Sequence, residues 1–338
     1  MADRADRISA FLAANGWGAA VRTHLAGDAS DRRYDRLRLA DRTAVLMDNP
    51  PGGADDPVAF VAMARHLRGL GLSAPDILAQ DLAQGILLLE DLGDGVLARL
   101  LTEDPAREAA LYAPAVDVLL RLQAAPPPPG LPDLSAADWA AAAGLVLETY
   151  APAVGNRTPA QDPFRAALTR ALRDHADGPR VVILRDYHAE NLLWLPGRQG
   201  LAQLGVLDFQ LGQMGQPGYD LVSLLQDARR DVSPATEAAM IARFVAATGA
   251  KPDRFAAQYA VLGAQRALRI LGVFVRLAQV AGKPQYLRLI PRVWDQLQRN
   301  LSHPALTDLR AACRDCLPPP SPEILNRIAQ QCPPSPFR

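Results

Sequence analysis

The sequence predicts an α+β chain in two lobes: a small five-stranded antiparallel β lobe carrying one helix, then a larger, mostly helical lobe. Three observations lead there. At 338 residues the chain is longer than one hydrophobic core usually organises. Its extended runs, apart from one island at 181–208, all precede residue 95, and nearly everything beyond has helical periodicity. The change falls at Glu90-Asp91-Leu92-Gly93-Asp94-Gly95, a polar, glycine-containing connector. The expected organisation is therefore 1–95 with a hinge at 90–95, then 96–316, then a proline-rich tail at 317–338 lying loosely on the surface.

Each element has its own local reason. Residues 3–15 read as a helix stopped by Asn15-Gly16. Three extended runs follow at 20–25, 32–39 and 43–48, parted by Gly27-Asp28-Ala29-Ser30 and by Ala40-Asp41-Arg42, which makes a meander. Asp56 caps the next helix, Pro57 suits its first position, and Phe60, Met63, Ala64 and Leu67 form one apolar stripe. Strands at 76–80 and 86–90 complete the lobe; Ile86-Leu87-Leu88-Leu89 is apolar throughout and expected to be buried on both faces. Helices are then predicted around Leu111–Leu122 and over 136–150, 161–177, 219–230, 234–248, 252–281 and 286–300.

Composition narrows the function. Thirty-six basic and 36 acidic residues balance, which argues against a nucleic-acid partner bound by bulk charge. No run approaches the roughly 18 apolar residues of a membrane span, and the N-terminus has no apolar signal core, so a cytoplasmic protein without membrane partners is expected. Cys313 and Cys316 have no second metal-type pair and read as helix-end thiols. The two lysines, Lys251 and Lys283, both lie beyond residue 250, so any cation needed earlier must be arginine.

The β island carries the chemistry. Strands at 191–195 and 203–207 flank the turn-rich Pro196-Gly197-Arg198-Gln199-Gly200. A hairpin centred there pairs positions summing to about 399, which sets Asn191 beside Asp208. Asp186 enters the same end. Two carboxylates and an amide thus converge, and such oxygen ligands suit Mg²⁺ shared with phosphate oxygens. Asp-x4-Asn followed by an aspartate after a hairpin matches the catalytic loop and metal aspartate of kinase-like phosphotransferases. In that reading Asp186 is catalytic, orienting or deprotonating an acceptor hydroxyl, while Asn191 and Asp208 hold the metal.

With these motifs the chain resembles the aminoglycoside phosphotransferase and choline kinase-like superfamily from about residue 10 to 310. It is most similar there to bacterial anomeric kinases of N-acetylmuramate and N-acetylglucosamine in cell-wall recycling. The narrower likeness rests on Gly27-Asp28-Ala29-Ser30-x-Arg32-Arg33-Tyr34, Leu46-Met47-Asp48-x-Pro50-Pro51 and Leu89-Glu90-Asp91-Leu92-Gly93-Asp94. It rests also on Arg185-Asp186-Tyr187-His188-x-x-Asn191-Leu192, Leu207-Asp208-Phe209-Gln210 and Tyr219-Asp220-Leu221-Val222-Ser223-Leu224-Leu225, and on Gln265-Arg266 with Leu271-Gly272-Val273-Phe274.

The resemblance implies a protein kinase-like two-lobed fold, ATP and Mg²⁺ as cofactors, and a small-molecule acceptor, an amino sugar in the narrower likeness. The adenine would bond hinge backbone near Glu90, Asp91 and Leu92, with Tyr34 facing it, and Gly27, Asp28, Ala29 and Ser30 would cover the phosphates. Such kinases often carry a lysine on the third strand, where this chain has Met47. Strand alternation offers Arg32 for the phosphates, with Arg33 as the alternative. Leu184 stands where relatives often have a histidine, and Leu211 where they often have a second acid, which implies weaker metal binding. Asp220 is expected to cap its helix and support the catalytic loop. His188 is a candidate for sugar contact or loop bracing. Arg266, with Arg269 and Arg276 at helical spacing, is a candidate for an anionic acceptor site. A kinase for aminoglycosides or another small alcohol, and a nucleotide-binding pseudokinase, are the rival readings.

Overall fold

A computed structural model of the chain describes residues 4–26, 32–52, 56–155 and 161–333. In order these form α1 (Arg4–Ala14), β1 (Val21–Ala26), β2 (Arg33–Leu39), β3 (Arg42–Asp48), α2 (Pro57–Gly69), β4 (Ile77–Asp81), β5 (Ile86–Leu89), α3 (Leu97–Glu103) and α4 (Glu108–Gln123). Next come α5 (Ala136–Ala143), α6 (Leu145–Glu148), α7 (Tyr150–Ala153), α8 (Gln161–His175), β6 (Val181–Ile183), β7 (Leu192–Trp194), β8 (Leu204–Val206) and β9 (Gln213–Gly215). The last are α9 (Tyr219–Leu225), α10 (Pro234–Thr248), α11 (Pro252–Gln279), α12 (Ile290–Leu301), α13 (Thr307–Cys316) and α14 (Pro322–Gln330). Two units result, Met1–Gly130 with Leu184–Gly212, and Leu131–Ile183 with Gln213–Arg338.

The first unit holds the five-stranded antiparallel sheet, in the order β1-β2-β3-β5-β4. Strand alternation explains its two faces. Leu37, Ala44, Leu46, Ile86 and Leu88 pack with Ile8, Leu12 and Trp17 around α1. Val45, Met47, Leu87 and Leu89 take the opposite face, so the apolar run of β5 is buried on both sides as its composition predicts. A one-residue slip would exchange these faces, so burial fixes the register. Helix α2 begins as its sequence predicts: Asp56 accepts a hydrogen bond from the Val58 amide, and Pro57 holds the first position.

The chain leaving the sheet stays bound to the β7–β8 hairpin. The Trp194 amide donates to the Gly95 carbonyl at 2.7 Å, and Val96 bridges to Leu193. A Cβ on Gly95 would stand 2.3 Å from the Trp194 carbonyl oxygen, so only glycine permits so close a passage.

In the second unit the helix expected over 136–150 is three short ones, α5 to α7. Its long partner α11 crosses there at Gly272, where a Cβ would meet the Leu145 backbone at 2.8 Å, and Thr149 Oγ1 donates to the Gly272 carbonyl at 3.0 Å. Helix α9 stops at Leu225, short of the expected 230. Strand β6 pairs with β9, whose Gln-Met-Gly has no alternation to announce it. The described part of the tail, 317–333, is not loose: Ser321 caps α14, Ile328 is buried, and Tyr150 Oη donates to the Pro318 carbonyl at 2.8 Å. Among the described residues no helix is long and apolar enough to cross a membrane.

Candidate active site

The β7–β8 hairpin pairs Leu192 with Val206 and Trp194 with Leu204, one residue off the expected register. A 3-10 turn at Gly200–Gln203 consumes the difference. Asn191 therefore faces Leu207, whose amide donates to the Asn191 carbonyl at 2.9 Å. Asp208 comes next, with a left-handed backbone (φ 55°) that returns its side chain toward Asn191. Arg185, just before Asp186, is also left-handed (φ 73°). Such conformations cost a non-glycine residue about 1–3 kcal/mol and are kept where geometry outweighs stability.

These turns bring the three expected residues together. Asn191 Nδ2 donates to the Asp186 carbonyl at 2.9 Å and stands 3.5 Å from Asp208 Oδ2. His188 is buried, its Nε2 3.4 Å from Asn191 Nδ2; because an amide nitrogen only donates, the imidazole accepts there. Asp208 Oδ1 accepts from Gln210 Nε2 at 2.8 Å and from Arg32 Nη2 at 3.1 Å. Phe209 is fully buried against Phe60 of α2, ring centroids 4.9 Å apart, which pins the aspartate's segment beneath that helix. Gln210 lies within a quoted motif and Phe60 within the apolar stripe of α2, but neither was expected to hold or pin Asp208.

Arg32, Tyr34 and Arg36 share one face of the β2 segment, as alternation requires, and line a cleft of about 450 Å³. Arg33 points the other way and is exposed, so of the two candidates Arg32 is the one inside. Arg32 Nη1 also donates to Tyr34 Oη at 3.1 Å. The cleft walls are Val45 and Leu89 on one side and Leu193 and Leu207 on the other, closed by Glu90, Asp91 and Leu92. A larger groove of about 790 Å³ beside Trp294 and Pro318 in the second unit includes none of the expected site residues.

At the hinge the side chains are already engaged. Arg36 meets Asp91 through Nε at 2.8 Å and Nη2 at 3.0 Å, and reaches Asp94 through Nη1 at 2.9 Å. Burial alone would lower the guanidinium's pKa; the hydrogen bond and charge of Asp94, with those of Asp91, outweigh it and raise it. Glu90 pairs with Arg198 of the hairpin turn, and Arg198 Nη1 donates to Ser73 Oγ at 2.6 Å. The three hinge carboxylates are thus each paired with an arginine.

Gly27, Asp28, Ala29 and Ser30 lie outside the described residues. Asp220 is fully buried in the first turn of α9, but Gly218 holds the capping position and no side-chain cap bond forms there, which corrects the capping expectation. Arg266 is buried in α11 and donates to the Gln226 carbonyl at 3.2 Å. Cys313 and Cys316 are buried free thiols.

The donor set fits a hard divalent cation. With its NH₂ committed to the Asp186 carbonyl, Asn191 presents Oδ1, and Asp208, 39% exposed, presents Oδ2.

A five-stranded sheet with helices α1 and α2, a hinge, and a hairpin joining an Asp-x4-Asn loop to an Asp-Phe pair define a kinase-type phosphotransferase. The chain belongs to the phosphotransferase enzyme family, whose model matches residues 22–259; it is an ATP-dependent small-molecule kinase. It is 40% identical to the N-acetylmuramate/N-acetylglucosamine kinase of Caulobacter vibrioides over 90% of this chain and 94% of that one. The enzyme of the same name in Pseudomonas aeruginosa is 32% identical over 88% and 90%. Its fold is similar to a choline/ethanolamine kinase family protein of Mesorhizobium loti (TM-score 0.62, 19% identity, 92% and 99% covered). A choline kinase of Streptococcus pneumoniae is also similar (TM-score 0.60, 14% identity, 91% and 99% covered).

Proposed function

We propose that this chain transfers the γ-phosphoryl group of ATP to the anomeric hydroxyl of N-acetylmuramate and N-acetylglucosamine, in the cytoplasm, as a step of cell-wall sugar recycling. The observation that carries the reading is the hydrogen bond that ties Asn191 to the Asp186 backbone and sets it 3.5 Å from Asp208, beside a cleft with apolar walls that ends at the hinge residues Glu90, Asp91 and Leu92. The kinship with enzymes named for these two sugars supports the acceptor.

In this reading adenine lies between Val45 and Leu89 on one side and Leu193 and Leu207 on the other, bonded to hinge backbone at Glu90 and Leu92. Tyr34 borders it, and Arg32 reaches the phosphates. Asn191 Oδ1 and Asp208 Oδ2 hold Mg²⁺, which neutralises phosphate charge when bound. Asp186 accepts a hydrogen bond from the acceptor hydroxyl and takes its proton as that oxygen bonds the γ-phosphorus, while the bond from phosphorus to the β–γ bridging oxygen breaks and ADP leaves. His188 braces Asn191 and so serves as a positioning residue.

A coupled ADP-release screen over N-acetylmuramate, N-acetylglucosamine, other hexoses, kanamycin and choline tests it. Turnover with the two N-acetylated sugars, and loss of it when the anomeric oxygen is blocked as a methyl glycoside, is expected. Turnover confined to kanamycin or choline, or ATP binding with no acceptor phosphorylated, would overturn it.

A further inference from the structure

Kinase-like phosphotransferases commonly hold the nucleotide phosphates with a strand-β3 lysine that an acid on the following helix positions. Neither partner exists here. Met47 stands on β3 and is fully buried, and α2, Pro-Val-Ala-Phe-Val-Ala-Met-Ala-Arg-His-Leu-Arg-Gly, contains no acid. Apolar packing of Phe60 on Phe209 ties α2 to the Asp208 segment instead.

Charge has moved to the next strand. Arg32 is 7% exposed, its guanidinium backed by Tyr34, and it is bound to Asp208 Oδ1 at 3.1 Å. We propose that Arg32 is both the phosphate-binding cation displaced from β3 and a latch on Asp208 that weakens the binding of free divalent metal, so that metal binds better together with nucleotide than alone. The inference rests on the kinase reading of the cleft.

The physics is a competition for one carboxylate. A guanidinium and a divalent cation on the same carboxylate repel each other, so each weakens the other's hold. Free metal must overcome the ion pair without recompense. A metal–nucleotide complex brings phosphate oxygens, to which a guanidinium bonds strongly in a forked geometry, so Arg32 gains a partner as it releases Asp208. Gln210 stays on Oδ1 and keeps the carboxylate oriented during the exchange.

The test uses the full chain, with Mn²⁺ titrated without nucleotide and free metal read by electron paramagnetic resonance. Arg32→Gln is expected to bind Mn²⁺ about five-fold more tightly than the unaltered chain, the effect of removing a partly exposed ion pair. Arg32→Lys, which keeps the charge, should stay near the unaltered chain. With ATP present the sign reverses: Arg32→Gln should raise the KM for ATP about ten-fold or more, through lost charge-assisted phosphate bonds. Asp208→Asn separates the two levels of the argument. If it abolishes Mn²⁺ binding while Arg32→Gln leaves the affinity unchanged or weaker, the latch is wrong and the kinase reading stands. If Asp208→Asn leaves Mn²⁺ binding intact, the metal-site reading fails and takes the latch with it.

Discussion

The first unit contains two groups of carboxylates that the fold treats differently. At the hinge, Asp91 gives both oxygens to Arg36, Asp94 joins the same guanidinium, and Glu90 pairs with Arg198. At the other end of the cleft, Asp208 takes its two shorter hydrogen bonds on Oδ1 and only the long 3.5 Å bond from Asn191 Nδ2 on Oδ2, on a left-handed backbone, while Asp186 follows a second left-handed residue. A carboxylate with both oxygens held by a guanidinium is part of the scaffold. One held chiefly through a single oxygen keeps capacity for a ligand, at a cost in backbone strain.

Substitution should separate the two groups. The largest effect is expected for Asp186→Asn: kcat falls about 10³-fold or more, the scale of a lost general base, with nucleotide affinity within a few-fold by calorimetry. Next, Asp208→Ala should remove Mg²⁺-dependent nucleotide binding; an unchanged Mg²⁺ dependence in titration calorimetry would break the comparison. At the hinge the cost should appear as stability. Arg36→Met leaves Asp91 enclosed without its cation and is expected to cost about 2 kcal/mol in chemical denaturation, below the full cost of breaking a buried pair because the site is partly solvated. A fall in kcat at saturating ATP as large as that of Asp186→Asn would erase the distinction.

The smallest effect extends the comparison to the second unit. Asp231 accepts hydrogen bonds from Arg292, which hold its carboxyl below the usual carboxylate range. A lowered folded pKa adds stability that is complete above the ordinary aspartate value of about 4 and is lost as pH falls through the folded one. The unaltered chain should thus exceed Arg292→Gln by about 0.5 kcal/mol at pH 6, a value discounted for the exposure of Asp231. That margin should shrink toward pH 3, as denaturation midpoints at both pH values will register.

Much of this was legible in the sequence because it depended on local pattern. The five strands, the Asp56-Pro57 start of α2 and the burial of β5 follow from alternation and capping, and the meeting of Asp186, Asn191 and Asp208 follows from hairpin pairing. The one-residue register error arose in the turn, where Gly200 (φ 57°) and the 3-10 geometry use a different number of residues from a simple loop. Neither β9 nor α14 was visible: three residues without alternation cannot announce a strand, and a proline-rich segment hid a nine-residue helix. The ion pair of Arg198 with Glu90 spans 108 positions, and no local rule connects residues that far apart. The pairing of Arg32 with Asp208 is legible only in part: alternation aimed the arginine inward, but only the folded chain supplied its partner.

One missing side chain has a mechanical outcome. Because Gly95 lets the segment after the hinge lie flush on β7, the peptide groups offered to a purine and the oxygens offered to a metal are fixed to one block, like two marks on a ruler. In the proposed reading a nucleotide would meet both marks already fixed, so less ordering would be left to binding. A methyl group at that glycine would shift one mark against the other while leaving every catalytic side chain in the sequence unchanged.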